Sequence, residues 1–213
     1  MGLHELVRDR AYLNLDYVFG TLSNSGGENP LDYPAFVKNP MEFMAVATNA
    51  QTGAAVYLTK QDVHQDDYGV LKASSAIPFV CKPYRIRGID CYDGALSDTV
   101  PIQKAFDLGC DRVVLLLTKP LGVLRTSKTD NRLAKLIQKN YPVSAEQLRG
   151  RAERYNNGIA LAKQYASQGK LCIIAPDDTC GVDTLTKDRQ ASHRFYEKGY
   201  ADGEMVRAFL ARK

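Results

Sequence analysis

Residues 42–49 (EFMAVATN) alternate apolar and polar side chains, which is the period of a strand with one face buried. Asn49-Ala50-Gln51-Thr52-Gly53 follows as a hairpin turn, and residues 54–59 (AAVYLT) form the second strand. Residues 62–75 carry a helical spacing that ends before Pro78. Residues 88–92 form a short strand. A helix spans 101–108, with Pro101 in its first turn and Gly109 as its stop. Residues 112–118 (RVVLLLT) are apolar on both faces, the pattern of a central strand covered by helices. Helices follow over 130–140 and 144–168, the second opened by a Ser144-x-x-Gln147 capping box. A buried strand over 171–175 (LCIIA) is closed by Pro176. A long terminal helix spans 188–210, with Phe195, Tyr196, Met205, Val206, Phe209 and Leu210 on its core face. This helix–strand rhythm argues for an α/β layered domain, a single domain over 1–213 with a helix-rich tail at 128–213.

Composition narrows the class without naming a function. Of 213 residues 45% are hydrophobic, enough for a core and too many for disorder. The net charge of +4 is mild, so no nucleic-acid partner is expected. No apolar run has the length of a membrane span or of a secretory leader. Met1-Gly2 resembles a myristoylation start, but Leu6 stands where that signal needs Ser or Thr. The five cysteines (Cys81, Cys91, Cys110, Cys172, Cys180) form no C-x-x-C, and His4, His64 and His193 sit far from them. Reduced thiols, no metal, no cofactor and a cytoplasmic protein are the expectation.

Residues 71–118 hold the specific chemical signal. Asp93-Gly94-Ala95 places a carboxylate at the end of a strand, followed by two small residues. Such a turn lies where α/β sheets gather their ligands, and an Asp there can orient or deprotonate a nucleophile. Asp98 caps the next helix or supports Asp93. By spacing alone, a turn Asp and an N-cap Asp explain both. Ser74, Ser75, Ser97 and Cys91 are weak alternative nucleophiles. Cys91 should share Asp93's face of the sheet. Ser23-Asn24-Ser25-Gly26-Gly27 reads as a loop, His64 and His193 as solvated side chains.

Ala73-Ser74-Ser75-Ala76-Ile77-Pro78, then 14 residues, then Asp93-Gly94-Ala95-Leu96-Ser97-Asp98, followed by a Pro101-Ile102 helix start and a hydrophobic strand, resembles the C-terminal part of the patatin-like phospholipase family, bacterial predicted-esterase branch. The flanks agree: Leu13-Asn14-Leu15-Asp16 at the start, the hairpin, and the helical tail. The resemblance covers residues 12–210 and weakens after Pro120. It implies a three-layer fold with a mainly parallel sheet and helices on both faces. It implies hydrolysis of lipid acyl esters by a Ser–Asp dyad, with Asp93 as the dyad Asp, Gly94 and Ala95 completing its motif, and Ser74 and Ser75 as structural or pocket-lining residues.

The family's G-x-S-x-G elbow and G-G-G-x-R-G oxyanion loop are missing from this sequence. The expectation is therefore a chain that lacks the first strand and the elbow, with Met1 an internal methionine of a longer reading frame. Acyl transfer needs a nucleophile, a base and oxyanion donors, and these residues supply the base alone. Two functions follow. One is a serine esterase acting on a lipid or small acyl ester, of which this chain carries the Asp and is inactive alone. The other is an acyl-binding or interaction module, with a partner chain supplying the missing half. A nucleotide-binding domain would need a Gly-rich strand-to-helix loop, which is absent. Two basic clusters, Lys128, Arg132, Lys135, Lys139 and Arg149, Arg151, Arg154, are candidates for peripheral contact with an anionic membrane.

Overall fold

Strand β1 (Met44–Asn49) buries Ala45 and Ala47 and pairs antiparallel with β2 (Ala55–Thr59), Met44 opposite Thr59. The expected turn joins them. The Asn49 carboxamide oxygen accepts the N–H groups of Gln51 and Thr52 at 2.9 and 3.0 Å, and Gly53 takes φ +73°. The computed structural model describes residues 14–78, 81–183 and 186–211, so His4 and Leu13 lie outside the described residues. The chain gathers into two compact units: the described residues up to Thr99 with Thr126–Ala152, and Val100–Arg125 with the residues from Glu153 onward.

In the first unit β1 also pairs with β4 (Ile89–Asp93), and β4 pairs with β3 (Tyr84–Ile86), giving the order β2-β1-β4-β3. Every pairing is antiparallel, unlike the mainly parallel sheet expected. The residue pattern does not predict strand β3. Its hairpin turns on Arg87 (φ +51°) and Gly88 (φ +77°), and an Arg in the left-handed region is a weak turn signal beside the usual Asn or Asp.

Helix α1 (Tyr33–Lys38) is capped by Asp32, which accepts the Ala35 N–H at 3.0 Å. Helix α2 (Gly69–Ser75) is half the length that the periodicity suggests. Lys60–Asp62 form a single 3₁₀ turn instead, and Asp66 takes φ +59°, which no helix tolerates. One face of the sheet packs Ala47, Leu58, Val70, Ala73 and Cys91; another core gathers Ala50, Tyr92, Leu96, Ala134 and Leu148. Helix α4 (Lys128–Ile137) and the start of α5 (Pro142–Ser167) contribute to that second core. Helix α5 begins two residues before the expected capping box. Ser144 is therefore inside the helix, fully buried, and donates to the Ala50 carbonyl at 3.0 Å. Asp130 on α4 receives Arg151 on α5 at 2.5 and 3.0 Å.

In the second unit, helix α3 (Ile102–Asp107) ends at Gly109, φ +91°, as the sequence suggests. Strand β5 (Val113–Leu116) pairs in parallel with β6 (Leu171–Ile174). Val100, Ile102, Tyr155, Ile159, Ala162 and Leu171 make this unit's core. Among the described residues the expected central strand is one of two, and Leu116 is 69% exposed. Helix α6 (Arg189–Asp202), capped by Asp188, and helix α7 (Glu204–Ala211) replace the single terminal helix, parted at Gly203. Of its expected core face Phe209 is buried, whereas Tyr196 is 66% and Leu210 58% exposed, because the break turns the two segments differently. The protein is thus mixed α/β, with an antiparallel four-stranded sheet and a parallel two-stranded one among the described residues.

Candidate functional site

Asp93 is the last residue of β4, opposite Ala47 of β1. Its N–H donates to the Ala76 carbonyl at 2.9 Å, and its carboxylate accepts the Ala95 N–H at 2.8 Å. That second bond caps the 3₁₀ turn Gly94–Leu96. A Cβ on Gly94 would overlap the Val46 carbonyl, so only glycine fits there. The same Val46 carbonyl accepts the Ser74 hydroxyl at 2.7 Å. Thr48 donates to the Asp93 carbonyl at 2.9 Å, so in its 2.7 Å contact with Ser97 the Ser97 hydroxyl is the donor. The segments 73–78 and 93–98 therefore meet at one rim, where β1 and β4 lie side by side. Asp93 itself is half-buried. A carboxylate offers about four lone-pair sites. Ala95 fixes its orientation through one of them.

Further groups stand around this rim, of which Lys72 and Tyr84 carry no signal in the sequence. Lys72 on α2 pairs with Asp16 at 2.6 Å and lies 5.9 Å from the Tyr84 ring. Burial pushes the Tyr84 hydroxyl up to about 12, and Asp16 adds to it. Burial also raises the Cys81 thiol, with the Asp16 and Asp93 carboxylates adding to the shift. Cys91 is raised by burial and then by Asp90. Both thiols stay protonated near neutrality, which suits packing and not nucleophilic attack. Cys91 is fully buried beside Ala47, Leu58 and Val70, a packed thiol. Only the proximity of Asp16 to the hairpin flags Cys81, and sequence spacing does not carry that.

Asp98 accepts the Tyr57 hydroxyl at 2.7 Å, and α3 is entered through Pro101 without a side-chain cap, so Asp98 caps no helix. Ser75 is half-buried at the end of α2; its neighbour Ser74 makes the rim contact. Ser25 donates through both Oγ and N–H to the exposed Asp66, at 2.7 and 2.6 Å. These two bonds hold Asp66 below the usual carboxylate range, and the pair clamps a surface loop. His64 is exposed. His193 is exposed too, 3.3 Å from Glu197 and stacked on Tyr196. Of the basic clusters, Lys128, Arg132, Lys135 and Lys139 are exposed along α4 and just beyond it. Arg151 is taken up by Asp130, and Arg149 bonds Glu146 and Gln138. Among the described residues no group of three or more His, Cys, Asp or Glu could hold a metal ion. No helix among them is long and apolar enough to cross a membrane.

The second unit holds an apolar groove of about 430 Å³ at the C-terminal ends of β5 and β6, lined by Leu116, Leu117, Ile174, Phe195, Tyr196 and Tyr200. None of the residues around Asp93 lines it. Residues 141–210, about a third of the chain, match a family model described as a domain of unknown function (DUF6363). That match covers all of α5, strand β6, helix α6 and α7 as far as Leu210, and it carries no activity.

Proposed function

We propose that this chain carries the aspartate arm of a patatin-like Ser–Asp acyl-ester hydrolase, acting on a lipid or small acyl ester. The observation that supports it is the meeting of the two motif segments. Asp93 bonds Ala76, while Gly94 and Ser74 both seat on the Val46 carbonyl. In this reading Gly94 lets the turn come close enough to β1 to fix the Asp93 carboxylate at the rim. Asp93 takes the proton of a serine that attacks the acyl carbon, and the 213 residues alone turn over no ester. The finer architecture of the reading is a three-layer fold in which a parallel sheet is completed by further strands. The protein is cytoplasmic and meets an anionic membrane through the exposed Lys128, Arg132, Lys135 and Lys139 stripe.

The test expresses the reading frame at the length the cell makes, tagged at its C-terminus. The protein is reacted with a fluorophosphonate probe and assayed on a short-chain nitrophenyl ester. The expected result is one labelled serine and a kcat about 10³-fold lower or worse in Asp93→Asn, with the thermal midpoint kept. An unlabelled protein, or an Asp93→Asn variant with unchanged turnover, overturns the reading. The groove in the second unit supports an alternative, a non-catalytic acyl-binding module. It would show as fluorescent fatty-acid binding, lost in Tyr196→Asp, in a protein that never labels.

A further inference from the structure

Asp93 ends its strand where the ladder stops serving the backbone. The Ala50 N–H donates to the Asp90 carbonyl at 2.8 Å, and Thr48 stands opposite Tyr92, so positions 50–90 and 48–92 are the hydrogen-bonded pairs of β1 and β4. Ala47 and Asp93 then make a pair of the other kind, and the ladder takes neither backbone group of Asp93. Partners distant in sequence take them instead. The Ala76 carbonyl accepts the Asp93 N–H at 2.9 Å, and the Thr48 hydroxyl donates to the Asp93 carbonyl at 2.9 Å. The Ala95 N–H then fixes the carboxylate at 2.8 Å. Of these three bonds, the one from Thr48 is made by the side chain of another residue. Thr48 is fully buried, in a strand position whose shape valine would fill as well. What valine lacks is the hydroxyl, and no solvent reaches the place to replace it. The Ser97 hydroxyl donates to Thr48 at 2.7 Å, which leaves the Thr48 proton for Asp93.

We infer that Thr48 is a positioning residue for Asp93, and that Ser97 is the second link of the same chain. The inference rests on the reading of Asp93 as the dyad aspartate. The Asp93 carbonyl and the Gly94 nitrogen share one rigid peptide plane. The Thr48 hydroxyl sets the rotation of that plane, and the turn that carries the Ala95 N–H follows directly from it. A plane that rotates moves the Ala95 N–H away from the carboxylate and releases the direction in which Asp93 faces its serine. Thr48 acts through Asp93 and touches no reacting atom.

The test uses the reading frame at the length the cell makes, in the ester assay given above. Thr48→Val should lower kcat about 10²-fold with KM unchanged, because a carboxylate turned slightly away still leaves the substrate bound. Thr48→Ser keeps the hydroxyl and should stay near the wild-type kcat. Ser144→Ala is the control for stability. It removes another fully buried hydroxyl, bonded at 3.0 Å to the Ala50 carbonyl beyond the far end of β1, and should lower the thermal midpoint while leaving kcat alone. Amide exchange at Ala95 should speed up in Thr48→Val and stay unchanged in Ser144→Ala. Should Thr48→Val fail to fold, Thr48→Cys replaces it, since a thiol of similar size donates weakly and should give an intermediate kcat. A wild-type kcat in Thr48→Val, a Thr48→Ser variant as slow as the valine one, or an equal loss of kcat in Ser144→Ala would each overturn the role of Thr48. If the wild type labels and Asp93→Asn is dead, those outcomes leave the dyad standing. A wild type that never labels removes the dyad, and the role of Thr48 with it.

Discussion

The two sheets of this protein treat their backbone differently. In the four-stranded sheet, side chains seal the rim of β1 and β4. Ser74 satisfies Val46, Thr48 satisfies Asp93, and Ser144 reaches Ala50 just beyond β1. Gly94 lets the chain press against β1 with no atom to spare. In the two-stranded sheet no such sealing stands over the outer edge of β5 among the described residues, and Leu116 and Tyr196 lie open beside a groove. A buried polar group left without a partner costs about 1–3 kcal/mol, so a completed rim is a tightly determined one. An exposed apolar side chain carries no such penalty and leaves its surroundings free to vary. Chemistry that needs a carboxylate held in one orientation belongs at the first rim.

If that contrast holds, substitutions should separate the two units. The largest effect is expected at the ion pair inside the first unit. Asp130→Ala strands the Arg151 guanidinium, whose partner side chain is 6% exposed, and should cost about 3–5 kcal/mol in urea unfolding. The matched change in the second unit, Asp177→Ala beside Lys198, sits at the surface and should cost under about 1 kcal/mol. Equal losses would erase the distinction.

Next comes Gly94→Ala, whose new methyl meets the Val46 backbone and should cost about 2–3 kcal/mol. Gly122→Ala, in open space, should be silent. A Gly94→Ala protein as stable as the wild type would mean that the rim is loose, and the case for an oriented Asp93 would go with it.

The smallest effect is one of pH. Burial pulls the Asp62 carboxyl upward, but hydrogen bonds from Arg87 and the Thr59 N–H outweigh it and hold it below 3.8. A lowered folded value means that the stabilisation is present above 3.8 and fades as pH falls through the folded value. The stability gap between wild type and Arg87→Ala should therefore be constant near neutrality and narrow below pH 3.8. A gap that widens in acid would assign the pair the wrong sign.

Parts of this arrangement are legible in the residues themselves. The alternation over 42–59 with Asn49 and Gly53 between its halves specifies the β1–β2 hairpin, because a period of two and an Asx turn act over a few residues. Pro101 and Gly109 mark the limits of α3 for the same local reason. Asp93-Gly94 is visible as a strand-end carboxylate with a small neighbour. Ser144 misleads, because a serine three residues before a glutamine signals a helix start only when nothing else competes for its hydroxyl. Here Pro142 opens the helix and the Ala50 carbonyl, distant in sequence, takes the bond. Asp98 has the spacing of a cap and misleads in the same way, since Tyr57 takes it.

The order of residues alone determined the hairpin, the buried runs VVLL and LCII, the turn at Asp93 and the alternation of helix and strand, since each depends on neighbours a few positions away. The tertiary structure alone decided that the runs pair with each other in parallel, that the other strands make a separate antiparallel sheet, that Leu116 lies exposed, and that Ser74 and Gly94 meet at Val46 while Ala76 holds Asp93. Those outcomes turn on which distant backbone groups remain unsatisfied once the local elements have formed, and that is settled only when the elements pack.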